Sequence, residues 1–357
     1  MADDDILFGR EGGLATVTLN RPQALNAFTL DMYRRFDPML RAWADDQGVK
    51  AVLIRGAGDR AFCAGGDVRA IYEAGRGISG DRLLTSVFFR EEYELIRRIH
   101  RYPKPYVALI DGITMGGGAG VSVNGAFRVA TERTMLAMPE TGIGLFPDVG
   151  ATRFLNLCPG RIGRYLGLTG ARVGAADALY CGFATHFLPR ERLDALVAAF
   201  ARADGGEPRT ELLAGFAADP GPAPIRARQP AIDRCFAGDT VEAILAALER
   251  EAAGGGADAE WAAETHAGLL TKSPTSLKIT LRQLIRGRGF TIEDALALEY
   301  RLTQHVMAGH DFYEGVRAVL VDKDQRPRWD PPTLAAVDEA LVEAYFAPLG
   351  EAELRFA

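Results

Sequence analysis

The sequence predicts an α/β fold, with a core of βα units around a partly parallel sheet followed by a helical C-terminal region. Three observations predict it. The short apolar runs "KAVLIRG" (Lys50 to Gly56) and "PYVALIDG" (Pro105 to Gly112), each closed by glycine, have the pattern of strands buried on both faces. Each is followed by a Gly-rich turn and a segment of helical periodicity, so that strand, turn and helix repeat. After "ATHFLP" (Ala184 to Pro189) the chain becomes Ala/Leu/Glu/Arg-rich, with a Gly/Pro-rich passage from Asp204 to Pro224. The expected division is an α/β core over residues 1–203 and a helical region over 204–357.

The elements follow in order. Ile6 to Phe8 and Leu14 to Leu19 flank "GREGG" and read as a hairpin. From Thr29 to about Asp45, Met32, Phe36, Met39, Leu40 and Trp43 recur near helical spacing, with Pro38 as an expected kink. In "SPTSLKITLRQLIRGRG", Ser273 is placed as N-cap, Pro274 at the first helical position and Gly289 just past the end. Gly254 to Gly256 separate two further helices.

Composition narrows the class. Among 357 residues, 41 basic against 47 acidic side chains give a net charge of −6 with the signs interspersed, which argues against a nucleic-acid or polybasic membrane surface. No apolar run reaches the roughly 20 residues that span a bilayer. Cys63, Cys158, Cys181 and Cys235 show no CxxC or Cys/His spacing, and the histidines no HExxH, so reduced thiols and no metal site are expected. The acidic start "MADDD" has neither signal-peptide nor presequence character, and the expectation is a soluble cytoplasmic protein.

Four stretches could carry chemistry. In "AFCAGGDVRAIYE", Gly65 and Gly66 precede a short helix whose first amides point outward and can bind an anionic oxygen, although a plain turn with Asp67 as N-cap would look the same. In "ITMGGGAG", Gly116 to Gly118 open a buried helix. The cluster suggests close backbone approach, either to a ligand or in tight helix-to-strand packing. Two such turns, each offering an amide, are the parts of a two-donor oxyanion hole. In "MPETGIGLFPDVG", Asp148 precedes a helix and has the N-cap role open to it, whereas Glu140, among Met138, Pro139, Ile143, Leu145 and Phe146, has no such structural use. An acid in apolar surroundings has a tunable proton affinity and can work as base or nucleophile. In "FFREEYELIRRIH", Glu92 shares a helical turn with Phe88 and Phe89 and can face a cleft.

Taken together, "NRPQALNAF", "AFCAGGDVRAIYE", "ITMGGGAG", "MPETGIGLFPDVG" and "EGVRAVLVDKDQRPRW" resemble the crotonase (enoyl-CoA hydratase/isomerase) superfamily, from about Ile6 to Pro332. The resemblance implies a spiral of ββα turns followed by a helical C-terminal region, and an acyl-CoA thioester as substrate. It implies that the amides of Gly66 and Gly117 form the oxyanion hole. It also implies that Gln23, Ala24, Leu25, Ala64, Gly65 and Asp67 lie where members hold the pantetheine and adenine ends. Hydratases of the superfamily carry two glutamates, and Gly120 stands here in place of the first. The pattern of its hydroxyacyl-CoA hydrolases, a "PE" glutamate, an aspartate in "FPDVG" and a substrate-contacting glutamate in "REEY", is matched by Glu140, Asp148 and Glu92. The implied reaction is release of CoA from 3-hydroxyisobutyryl-CoA, a step of valine breakdown, or from 3-hydroxypropionyl-CoA, with the acyl chain against Phe146. No cofactor beyond the CoA of the substrate is expected, and a homo-oligomer is compatible with the resemblance. An enoyl- or dienoyl-CoA isomerase or hydratase is the enzymatic alternative, and an acyl-CoA-binding protein without turnover the non-enzymatic one.

Overall fold

The computed structural model describes residues 4–79, 83–203 and 209–356, so the expected boundary at residue 204 lies outside the described residues. The chain forms two compact units, each built from separate stretches. The first comprises Met1–Asp67, Glu94–Ala137 and Arg172–Pro224, and the second Val68–Tyr93, Met138–Ala171 and Ile225–Ala357.

Among its described residues the first unit holds nine strands: β1 (Ile6–Glu11), β2 (Leu14–Leu19), β3 (Ala51–Gly56), β4 (Ala61–Cys63), β5 (Tyr106–Ile110), β6 (Ile113–Met115), β7 (Phe127–Ala130), β8 (Met135–Ala137) and β9 (His186–Phe187). They form a six-stranded sheet in the order β1-β2-β3-β5-β7-β9 and a three-stranded sheet β4-β6-β8. Among the pairings of these described strands only the β1/β2 hairpin is antiparallel. From β3 to β9 successive strands alternate between the sheets, so each turn of the chain there lays one strand in each, which is the ββα spiral.

Sequence periodicity locates β3 and β5 because every position from Ala51 to Ile54 and from Tyr106 to Ile110 is buried. It misses β4 and β6, three-residue strands too short to show a period. The two glycine turns therefore follow β4 and β6 rather than β3 and β5. The first strand also runs further than the apolar pattern, through Gly9, Arg10 and Glu11, which pair with Thr16, Ala15 and Leu14 and leave Gly12 and Gly13 as the turn.

One face of the large sheet is covered by the helix Leu193–Arg202. Leu14, Leu53, Val107, Leu109 and Val129 pack there against Leu196, Phe200 and Leu213. Leu213 belongs to the helix Arg209–Phe216, which lies inside the Gly/Pro-rich passage. Burial of this leucine outweighs the weak local propensity. Between β2 and β3 runs the helix Leu30–Asp45, capped by the Thr29 side chain accepting from the Met32 amide at 3.2 Å. It continues through Pro38.

The second unit is helical. In the helix Pro274–Arg286, Ser273 Oγ accepts from the Ser276 amide at 3.0 Å. The helix ends at Arg286 with Gly287 as C-cap, two residues before the glycine expected from sequence, because the Gly287 amide already closes on the Gln283 carbonyl at 2.8 Å. The helices Val241–Ala253 and Ala259–Leu269 flank Gly254 to Gly256. The 3-10 turn Glu140–Ile143 lies backbone to backbone against the helix Asp311–Val316. A Cβ on Gly144 would stand 2.2 Å from the Asp311 carbonyl, and one on Gly315 would stand 2.4 Å from Ile143 C. The start of the "EGVRAVLVDKDQRPRW" segment thus packs, through Gly315, against the end of the turn that carries Glu140. Arg317 locks that tail to Glu314, Asp322 and Asp324 at 2.6 to 2.7 Å.

Candidate active site

In the first unit the two glycine turns meet. Gly65 has φ +114°, and a Cβ there would lie 3.3 Å from the Met115 carbonyl and 3.5 Å from the Gly117 amide nitrogen. A Cβ on Gly118 would enter the Cys63 carbonyl at 2.2 Å. The packing reading of the "GGG" cluster holds: tight packing of the helix Gly117–Val123 on β4 brings Gly117 beside the first turn. The Gly117 amide is in the first turn of that helix and has no acceptor within it. At the other turn, Phe28 receives the Asp67 amide on its carbonyl and donates to the Gly65 carbonyl, both at 2.8 Å, a bridge that leaves the Gly66 amide out.

The residues expected near the CoA moiety also come together. Leu25 and Asn26 adopt left-handed φ of 51° and 58°, and the Ala64 amide donates to the Leu25 carbonyl at 2.9 Å, joining the "QAL" loop to the "CAGGD" turn. Asn26 is completely buried and bonds to the carbonyls of Ala57 and Ala61 at 2.9 Å. Asp67 also has a partner across the loop. Its carboxylate receives the Arg21 guanidinium at 3.2 Å, and Arg21 also reaches the Ala27 carbonyl at 2.7 Å. The Leu25–Ala64 and Arg21–Asp67 bonds thus join the loop that carries Gln23, Ala24 and Leu25 to the turn that carries Ala64, Gly65 and Asp67.

The acids gather in the second unit. Glu92 and Tyr93 come from the helix Leu84–His100, Glu140 from the 3-10 turn and Asp148 from the loop that follows it. The three carboxyls are 2%, 5% and 4% exposed. The Tyr93 hydroxyl donates to Asp148 Oδ2 at 2.6 Å. Glu140 Oε2 is buried without a hydrogen-bond partner among the described residues. Phe146, between the two acids, is wholly buried, a wall residue with no accessible surface.

Asp148 is not the N-cap of the next helix, Ala151–Phe154. That helix is capped from a distance by Glu299 of the helix Ile292–Ala308, which accepts from the amides of Gly150 at 2.7 Å and Thr152 at 2.8 Å. The neighbouring Val149 is held at φ +57°, a region β-branched residues rarely adopt and one associated with functional sites.

Burial is the main influence on Glu140, Asp148 and Glu299. It holds Glu140 well above the usual range, and the charges of Asp148 and Glu92 push the same way while its own backbone amide opposes them. Asp148 is raised to about 6 by burial, against the pull of the Tyr93 hydrogen bond. Glu299 is raised to about 8 by burial, opposed by the Gly150 and Thr152 bonds. The Tyr93 hydroxyl thus favours the charged form of Asp148, a help that Glu140 Oε2 lacks among the described residues.

Sequence reading missed Tyr93, Glu299 and Gln283. Glu299 left a visible mark, an acid on the stripe that also carries Ile292, Ala295, Leu296, Leu302 and Val306. Among the described residues no His, Cys, Asp and Glu side chains are grouped to hold a metal ion, and no helix is long and apolar enough to cross a membrane.

Comparison with known proteins places this geometry. The enoyl-CoA hydratase/isomerase family model matches residues 14–346. The "3-hydroxyisobutyryl-CoA hydrolase, mitochondrial" of Danio rerio is 47% identical, over 99% of this chain and 92% of the relative. That of Homo sapiens is 43% identical over the same shares. Among solved structures, a carnitinyl-CoA dehydratase from Mycobacterium thermoresistibile superposes with a TM-score of 0.91 at 42% identity, over 99% of both chains. An enoyl-CoA hydratase from Rhodobacter sphaeroides 2.4.1 gives 0.90 at 42% identity, over 99% of this chain and 100% of its own. With the spiral of parallel strands, the paired glycine turns and these likenesses along almost its whole length, the chain belongs to the enoyl-CoA hydratase/isomerase family.

Proposed function

We propose that the protein hydrolyses the thioester of a 3-hydroxyacyl-CoA, 3-hydroxyisobutyryl-CoA in the first place, releasing CoA and the free hydroxy acid. The observation that carries this reading is the buried Glu140 Oε2 with no partner among the described residues. A desolvated oxygen left unmade costs the fold unless a ligand or water engages it. The curated relatives bear the name of that hydrolase, and Gly120 removes the second glutamate on which hydration in this family depends.

In the proposed reaction the amides of Gly66 and Gly117 hold the thioester carbonyl oxygen. Negative charge grows there as the carbonyl carbon becomes tetrahedral, and each such donor contributes about 2.7 to 4 kcal/mol to the transition state. Glu140 in its ionised form acts in one of two ways. It takes a proton from water as the water oxygen bonds to the acyl carbon, the C–S bond breaks, and the departing CoA thiolate receives the proton. Alternatively, its carboxylate bonds to the acyl carbon and expels CoA, and water then opens the mixed anhydride. Asp148 orients the substrate hydroxyl or the attacking water, and Glu92 positions the acyl group. No group beyond substrate and water enters either course.

Release of free thiol from 3-hydroxyisobutyryl-CoA, run beside 3-hydroxypropionyl-CoA and crotonyl-CoA, tests the reading. Thiol release that Glu140→Gln abolishes, with CoA-ester binding retained in calorimetry, is the expected result. Absorbance change on the enoyl ester without thiol release would move the protein to the hydratase or isomerase branch. Single turnover in ¹⁸O water separates the two courses, since only the anhydride route leaves label in Glu140.

A further inference from the structure

Glu299 is a wholly buried acid that the proposed reaction does not use. Its two carboxylate oxygens are both occupied by backbone amides, Gly150 at 2.7 Å and Thr152 at 2.8 Å. On the adjacent helix Gln283, equally buried, donates through Nε2 to the Pro147 carbonyl and to Thr152 Oγ1, each at 2.7 Å. Asp148 and Val149 lie between these anchors, and Val149 is the residue forced to φ +57°.

The arrangement is costly for a mere helix cap. An aspartate two residues ahead of an amide ordinarily folds back onto it as an Asx turn, so Asp148 could satisfy the Gly150 amide locally and spare the fold a buried acid. Instead, the remote Glu299 takes that amide, and the Asp148 carboxylate is left to accept from Tyr93 at 2.6 Å.

We propose that Glu299, assisted by Gln283, is a positioning residue for Asp148: by occupying the Gly150 and Thr152 amides it denies Asp148 the Gly150 amide and keeps that carboxylate facing the reacting groups. The inference rests on the reading of Asp148 as a group that orients substrate or water.

Glu299→Gln tests it, because the amide keeps one acceptor oxygen and turns an NH₂ toward the other backbone donor. With Gly150 N–H released, Asp148 should turn back onto it. Turnover of 3-hydroxyisobutyryl-CoA should fall by about tenfold to a hundredfold through kcat, with KM nearly unchanged. The preference for 3-hydroxyisobutyryl-CoA over isobutyryl-CoA should move in the direction set by Asp148→Asn. The double variant Glu299→Gln/Asp148→Asn should be no slower than Asp148→Asn alone, since a positioning residue has nothing to position once its target is lost.

Full multiplication of the two losses, or a Glu299→Gln enzyme with wild-type kcat, would overturn the proposal. Wild-type turnover and selectivity in Asp148→Asn would instead remove the reading of Asp148 on which it rests, so the two failures are distinguishable. If circular dichroism shows Glu299→Gln unfolded, the same series is read on Gln283→Met, which frees Pro147 and leaves Glu299 in place. Coupling to Asp148→Asn supports the proposal there, and multiplication overturns it.

Discussion

The hydroxyl of Tyr93 donates to Asp148 Oδ2 at 2.6 Å, with both side chains buried and 55 residues apart in the chain. This bond is the main force opposing the burial that lifts Asp148 to about 6. Tyr93→Phe should lift Asp148 further and leave less of it ionised at neutral pH. A hydrogen bond to a charged group contributes about 1.5 to 3 kcal/mol, so turnover should drop by about tenfold or more. Steady-state thiol release checks it, and an unchanged rate would detach Tyr93 from the chemistry.

The acid limb of the pH profile should belong to Glu140. Burial and the Asp148 charge hold its proton on to higher pH than an ordinary glutamate, and the reaction needs it ionised. The value of kcat/KM should therefore climb with pH along a limb above the usual carboxyl range. Asp148→Asn removes a negative neighbour, so the limb of the residual activity should move to lower pH. A limb that stays in place would mean that the two acids do not feel each other.

Stability should fall as pH rises from about 5 to 8. Glu299 moves from a reference value of 4.5 to about 8 on folding. Its contribution is complete below the unfolded value and is lost as pH climbs through the folded one, at up to about 1.4 kcal/mol per pH unit. Asp148, raised to about 6, acts in the same direction, losing its contribution between 3.8 and about 6. Groups lowered on folding, such as Glu314 and Asp324, vary only at more acid pH. Thermal melts of wild type and Glu299→Gln across this window check the sign, and the variant should show a flatter trend.

Gly118→Ala should disrupt the glycine turns. The added carbon meets the Cys63 carbonyl oxygen at 2.2 Å and the backbone cannot yield cheaply. Overpacking of this kind costs about 1 to 3 kcal/mol, and displacement of the neighbouring Gly117 amide should remove turnover even in protein that folds. Gly268→Ala is the control, a helical position with nothing within 4 Å, where the change should stabilise by about 0.4 to 1 kcal/mol. Melting temperature and kcat measured together distinguish the two effects.

Features set by neighbours along the chain were legible. Thr29 and Ser273 cap the helices that follow them, and the runs through Ala51 to Ile54 and Tyr106 to Ile110 are buried strands, because caps and periodicity are local devices. Three-residue strands such as Ala61–Cys63 and Ile113–Met115 hold too little pattern to be seen. The helix Arg209–Phe216 was hidden for another reason: Leu213 earns its place through the core of the large sheet, not through its neighbours in sequence.

For the site, the sequence by itself determined which chemistry was on offer: two glycine turns able to present amides, and an acid at Glu140 with no structural use. Only the tertiary structure decided what each group became. Asp148 had the choice of capping its own helix, and the fold withdrew that choice by bringing Glu299 from 149 residues away to the Gly150 amide and Gln283 from 136 residues away to Pro147. A residue type sets which proton or lone pair a side chain carries. How tightly the proton is held, and where the lone pair points, depend on burial and on partners that only the folded chain assembles.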